Sequence, residues 1–155
     1  MTCADLRRGR QLGLGVSRFD EELEEQLGQL VRDVAWGVYE PAPLTEVILA
    51  DHGGRVLHIP AVRDRVVERA VLDAVTPFVD PVLGSTSYAY RPGLGVEDAV
   101  LEVAKLRDEG HRWVLRTDID DCFPSIPVDL ARRQLGALVD DSELLAVVDL
   151  LLARP

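Results

Sequence analysis

Residues 113–126, WVLRTDIDDCFPSI, bring an apolar run up against a cluster of carboxylates. Trp113, Val114 and Leu115 combine aromatic and β-branched character in a short uninterrupted stretch, which predicts a mostly buried strand. Asp118, Asp120 and Asp121 would then sit at its C-terminal end. Three carboxylates this close repel one another unless a cation or solvent neutralises them. A strand that delivers acids to its own end is a common way to hold a divalent metal over a sheet. Pro124 and Pro127 cannot donate to a ladder and stop the strand. Cys122, beside the aspartates, reads as a small buried side chain rather than a nucleophile.

Locally, three readings of these aspartates stay open. The first is a solvated acidic turn between a strand and a helix. The second is the D-x-D of a haloacid-dehalogenase-like phosphatase, met by Asp118 and Asp120, although Cys122 and Phe123 depart from that pattern. The third is the first metal-binding motif of a polymerase palm, D-x-x-x-x-F/Y, met by Asp118 and Phe123. The upstream chain has to decide.

With 155 residues, the chain is long enough for one core-forming domain or for part of a larger one. Its 47% hydrophobic and 28% charged content describes an ordinary globular protein. No apolar run reaches the length of a membrane span, and the N-terminus lacks an apolar signal core, so a cytoplasmic protein without a membrane partner is expected. Cys3 and Cys122 form no disulfide framework and have no metal-ligand spacing. A net charge of −10 argues against whole-surface attraction to nucleic acid. Local distribution matters more: Arg55, Arg63, Arg65 and Arg69 fall close together, and Asp20 to Glu25 carries five carboxylates in six positions.

Residues 1–18 are polar and Gly-rich and predict a flexible lead-in. From Phe19, the positions Phe19, Leu23, Leu27, Leu30, Val31 and Val34 recur at helical spacing, until Gly37 ends the helix. Val47 to Leu49 and Val56 to Ile59 predict two strands around a turn at Asp51 to Gly54, where Gly supplies positive φ. Asp64 can cap a helix with Val66, Val67, Ala70, Val71, Ala74 and Val75 on one face, ended by Pro77. Residues 80–95 are dense in Gly, Pro and Ser and so irregular. Tyr88, Tyr90 and Arg91 within them suit stacking on bases and gripping phosphate. Val96 to Ala104 marks another amphipathic helix ending at Gly110. After the aspartate stretch, Pro127 opens one helix and Ser142 caps a last one, apolar on nearly every side from Leu144 to Leu152 and expected to need further strands to pack against.

In this order, GGRVLHIPAVRDRVVERAVLDAV (53–75), SYAYRPGLGVEDAV (87–100) and WVLRTDIDDCFPSI (113–126) resemble the fingers and first palm motif of group II intron-like reverse transcriptases. AVRDRVVERA and AYRPGLGVEDAV look most like the branch associated with CRISPR adaptation, where the polymerase is often fused to an integrase. The resemblance implies a helix-rich α/β (α+β) fold with short antiparallel strands: a lead-in at 1–18, fingers at 19–95 and a partial palm at 96–155, cut before the second metal motif. It implies RNA-templated DNA synthesis from a DNA primer and dNTPs, with Mg²⁺ as cofactor and a CRISPR integrase domain or subunit as partner.

Carried over by motif, Asp118 matches the catalytic metal ligand, and Ile119 would lend its backbone carbonyl to the metal. Phe123 matches the aromatic beneath the sugar of the incoming nucleotide. Arg55 matches an arginine that grips its triphosphate, with Ile59 near the templating base. Tyr90 and Arg91 fall where template contact or loop support is expected. Two departures stand out. No lysine precedes the hairpin turn near Leu49 or Ala50, and the aromatic-x-D-D hairpin is absent. Two-metal phosphoryl transfer needs several carboxylates holding ions about 3.5–4 Å apart, so the chain by itself is expected to be inactive. A non-catalytic nucleic-acid-binding or interaction module is the alternative, and the phosphatase comes third.

Overall fold

A computed structural model describes residues 22–49 and 55–154, with Arg55 described by its backbone alone. The expected lead-in at 1–18, the helix start at Phe19 and the turn at Asp51 to Gly54 lie outside the described residues. Two compact units emerge: residues 22–49, 55–74 and 141–154 form one, and 75–140 the other.

In the first unit, helix α1 (Leu23–Ala35) places Glu24 and Glu25 in its first turn and Arg32 in its last, the arrangement the helix dipole favours. Gly37, at φ 66°, ends it. The Gly37 amide donates to the Val34 carbonyl at 3.1 Å and the Val38 amide to Asp33 at 2.9 Å, a paired closure that depends on a left-handed residue at this point.

Strands β1 (Thr45–Leu49) and β2 (Arg55–Ile59) pair antiparallel, with Val47 opposite Leu57 and Ile48 opposite Val56. The period of two sorts the residues: Val47, Leu49, Leu57 and Ile59 are half-buried, while Glu46, Ile48, Val56 and His58 face solvent. On that outer face His58 Nε2 lies 3.3 Å from the Glu46 carboxylate.

Helix α2 (Val62–Val79) carries the centre of the first unit. Asp64 does not cap it as the sequence suggests. The helix begins two residues earlier, and the carboxylate turns inward, fully buried. Its Oδ1 accepts from the Tyr39 hydroxyl at 2.8 Å and its Oδ2 from the Ala42 amide at 2.9 Å. The Arg63 guanidinium supplies opposite charge at 3.7 Å and lies over the Tyr39 ring, 5.5 Å from its centre. A buried carboxylate is tolerable only when its oxygens are occupied in this way. Burial first, and the bond to Asp64 second, raise the Tyr39 hydroxyl pKa well above its usual value. Leu30, Tyr39 and Val67 form the apolar core beside this network.

Pro77 does not end α2, which continues to Val79. So close to the helix end, its missing N–H and ring disturb only the final turn. The last helix, α5 (Ser142–Leu152), is capped by Asp141 rather than Ser142: the Asp141 side chain accepts from the Leu144 amide at 2.9 Å. Part of its apolar surface finds partners within its own unit, while Leu150 and Leu152 stay exposed. Val148 is buried, and Val147 and Leu151 pack against the Leu30–Tyr39–Val67 core. Arg154 closes the helix by donating to the Leu151 carbonyl at 3.1 Å and pairing with Glu68. An apolar groove of about 520 Å³ runs among Leu27, Val31, Val67, Val71, Leu144 and neighbouring side chains.

In the second unit a short 3₁₀ turn (Asp80–Val82) follows α2. Helix α3 (Val96–Asp108) starts at Gly95, whose amide donates to the Asp98 carboxylate at 2.8 Å, and ends at Gly110 with φ 102°. Helix α4 (Val128–Leu138) begins just after Pro127, where the missing donor costs nothing.

The predicted strand at Trp113 to Leu115 does not form. Residues 111–119 have no regular structure, and Trp113, Val114 and Leu115 are 96%, 84% and 88% exposed. Among the described residues the only sheet is β1–β2. A lone strand leaves its own N–H and C=O groups unpaired, so propensity without a ladder partner does not make one.

Two expectations follow. Replacing Asp64 with Ala strands the Tyr39 hydroxyl and the Ala42 amide, each left-over donor costing about 1–3 kcal/mol. The urea midpoint should fall sharply, and Asp64→Asn, which keeps an acceptor, should fall less. The exposed Trp113–Leu115 run should bind a hydrophobic dye in the folded protein, and Trp113→Lys should weaken that signal without moving the midpoint.

Candidate nucleic-acid interface

The residues singled out for chemistry divide between the two units. Arg55 and Ile59 lie on β2 in the first, and Tyr90, Arg91, Asp118, Ile119 and Phe123 in the second.

On β2, Arg55 pairs through its backbone with Leu49, and Ile59 pairs with Thr45. Ile59 belongs to the half-buried face of the hairpin, and Pro60 follows it out of the ladder. The position of Arg55 at the start of β2 follows directly from the register.

Arg91 is the most constrained of these side chains. Its Nε donates to Asp80 Oδ1 at 2.7 Å and its Nη2 to Asp80 Oδ2 at 3.2 Å. Nη2 also reaches the Asp80 carbonyl at 3.3 Å, while Nη1 donates to the carbonyls of Gly84 and Ser87 at 3.1 and 3.2 Å. The bidentate pair with a carboxylate is the geometry a planar guanidinium favours. Those bonds from Arg91 hold the Asp80 carboxyl below the usual carboxylate range. Asp80 was not legible as a partner, because nothing in DPVLGSTSYAYR marks an acid eleven residues ahead as the arginine's counter-ion.

One residue away, Tyr90 has φ 59° and is 96% exposed. Left-handed backbone is unusual for an aromatic residue. Its ring stands in solvent beside the loop that the Arg91 guanidinium gathers.

The aspartate stretch is open. Asp118, Asp120 and Asp121 are all exposed, and Asp118 Oδ1 accepts from the Ile119 amide at 2.9 Å. Asp121 has φ 46°, and the Ser125 amide closes a turn back onto its carbonyl at 3.0 Å. Cys122 is exposed, not buried as expected. Without a sheet beneath it, the turn has nothing to bury the thiol against. Phe123 is 71% exposed. Among the described residues, no three His, Cys, Asp or Glu side chains gather where an ion could bind. The carboxylates present therefore do not fit a two-ion centre as they stand. No helix among the described residues is long and apolar enough to cross a membrane.

The Arg91–Asp80 pair sets one pH expectation. Because Asp80 is held low in the folded chain, its contribution is fully present above the ordinary carboxylate pKa of about 3.9 and disappears as pH falls through the depressed value. The Arg91 side-chain NMR resonances should shift in that acidic window, and Asp80→Asn should abolish the shift.

Comparison with known proteins supplies the wider context. No family model matches the chain. Over 127 residues it is 31% identical to Protein YkfC of Escherichia coli (strain K12), covering 77% of this chain and 33% of that protein. It is 28% identical over 106 residues to the Group II intron-encoded protein LtrA of Lactococcus lactis subsp. cremoris, covering 66% of this chain and 18% of LtrA. A third relative, the Uncharacterized 91 kDa protein in cob intron of Schizosaccharomyces pombe, is 26% identical over 99 residues, covering 64% of this chain and 12% of its own length. The chain spans about a third or less of the length of these curated relatives. Across roughly two thirds of its length it is similar to a group II intron-encoded protein.

Proposed function

We propose that this chain forms the fingers and opening palm of an RNA-directed DNA polymerase of the group II intron-encoded kind, and that its own contribution is to bind and orient nucleic acid. The observation that carries this reading is the similarity to LtrA, taken with the order of the three motifs along the chain.

Each residue then has a role its chemistry suits. Tyr90, with its ring in solvent, stacks on a template base, since every base offers a π-face. Arg55, at the start of β2, meets the triphosphate of an incoming dNTP, and Ile59 flanks the templating base. Phe123, largely exposed, is available to lie against a deoxyribose rather than to fill a core. Asp118 and the Ile119 carbonyl are offered to Mg²⁺, but one carboxylate does not hold an ion pair. The work assigned to this chain is therefore binding, not bond-making. AVRDRVVERA and AYRPGLGVEDAV favour the CRISPR adaptation branch, with an integrase domain or subunit as partner. An intron-borne gene neighbourhood would move the chain to the intron group instead.

A non-catalytic nucleic-acid-binding module is the second reading, favoured by the same isolated carboxylate. The two part at Asp118→Asn made at the native locus. Loss of cDNA synthesis in cells supports the polymerase, and retention supports the module.

The direct test uses the purified chain. It should bind single-stranded RNA with an affinity that falls as salt rises, by about 0.7 log units per tenfold salt for each phosphate contact. It should give no primer extension with Mg²⁺ or Mn²⁺. Absence of RNA binding at low salt would overturn the nucleic-acid reading, and robust extension would overturn the division of labour.

A further inference from the structure

Arg91 is placed where a phosphate-gripping arginine would be useful, yet its hydrogen-bonding capacity is spent inside the protein. A guanidinium has five N–H donors. Here five bonds go to Asp80 Oδ1, Asp80 Oδ2 and the carbonyls of Asp80, Gly84 and Ser87. The side chain is only 13% exposed. A phosphate oxygen would have to displace one of these partners to be bound.

What the five bonds achieve is visible one residue back. They tie Asp80, Gly84 and Ser87 to the one rigid plane at Arg91. Tyr90 lies between the last two anchors of that clamp, Ser87 and Arg91. Its φ of 59° and nearly full exposure are not what an aromatic side chain adopts for its own sake. A ring free to choose would relax to ordinary backbone angles and lie down on the apolar surface.

We infer that Asp80 and Arg91 are positioning residues that hold Tyr90 outward as a stacking platform for an unpaired base of single-stranded RNA, and that Arg91 itself makes no phosphate contact. This rests on the reading of Tyr90 as a base contact and adds the device that presents it. The clamp acts through Tyr90 alone, which gives it a signature that general loosening of the fold would lack.

The test is a double-mutant cycle on the whole chain, using a single-stranded oligoribonucleotide carrying one 2-aminopurine. Tyr90→Ala should weaken binding about 5- to 150-fold, the range expected for one stacked base, and should remove the stacking-dependent quenching of 2-aminopurine. Asp80→Asn should weaken binding and quenching in the wild-type background. It should have no further effect in the Tyr90→Ala background. Arg91→Gln should lower affinity while leaving the dependence on salt unchanged. Should Asp80→Asn fail to fold, Arg91→Lys, which keeps the charge but loses the fork, enters the same cycle in its place.

Two results would overturn the inference and leave Tyr90 as a base contact. One is an Asp80→Asn penalty that persists in the Tyr90→Ala background. The other is a salt slope reduced by about 0.7 in Arg91→Gln, which would mean the arginine does neutralise a phosphate. Wild-type binding by Tyr90→Ala is a different failure, because it would remove the base contact itself and the positioning role with it.

Discussion

A single buried carboxylate holds the first unit together. Asp64 sits among Leu30, Tyr39 and Val67 with no solvent exposure, in surroundings that would ordinarily expel a charge. It remains because each oxygen has a donor, from the Tyr39 hydroxyl and the Ala42 amide, and because Arg63 stands beside it. Those same bonds fix the extended segment after α1 against the start of α2, and the hairpin leaves from the end of that segment. Removing the acid would therefore disturb more than one contact: the direction in which β1 departs depends on it.

The second unit solves a similar problem with the charges reversed. Its irregular 80–91 loop has few apolar side chains to fold around, so an arginine takes the part of a core and gathers carbonyls that water would otherwise satisfy. In both units a charged side chain organises backbone that hydrophobic burial alone would leave undetermined. The difference lies in exposure. Asp64 is sealed from solvent, while the Asp80–Arg91 pair lies near the surface, where its geometry can serve a neighbour.

Local patterns in the sequence were the ones that could be read. The hairpin was legible because the short apolar runs Val47 to Leu49 and Val56 to Ile59 flank a glycine pair, a local signal that needs no tertiary information. Helix ends were legible at Gly37 and Gly110, where a left-handed residue is needed locally. Trp113 to Leu115 misled because strand propensity describes a residue's fitness for a ladder, not whether a ladder is there. Asp64 looked like a cap because caps are local, whereas its actual partners are 22 and 25 residues away. Asp80 was invisible for the same reason. Asp118 and Phe123 were picked out by a motif, and their exposure shows a stretch that no core claims.

The open run at Trp113 to Leu115 also bears on how this chain behaves among its own copies. An exposed, apolar, β-prone stretch whose backbone belongs to no sheet is a template for intermolecular pairing. Arg112 and Arg116 bracket it. In a parallel in-register stack each arginine meets its own counterpart, and in an antiparallel one Arg112 meets Arg116. Either alignment sets like charges side by side, which opposes self-assembly in the way gatekeeper residues do elsewhere. That opposition is electrostatic and fades as ions screen it, so pairing of copies through this stretch depends on ionic strength.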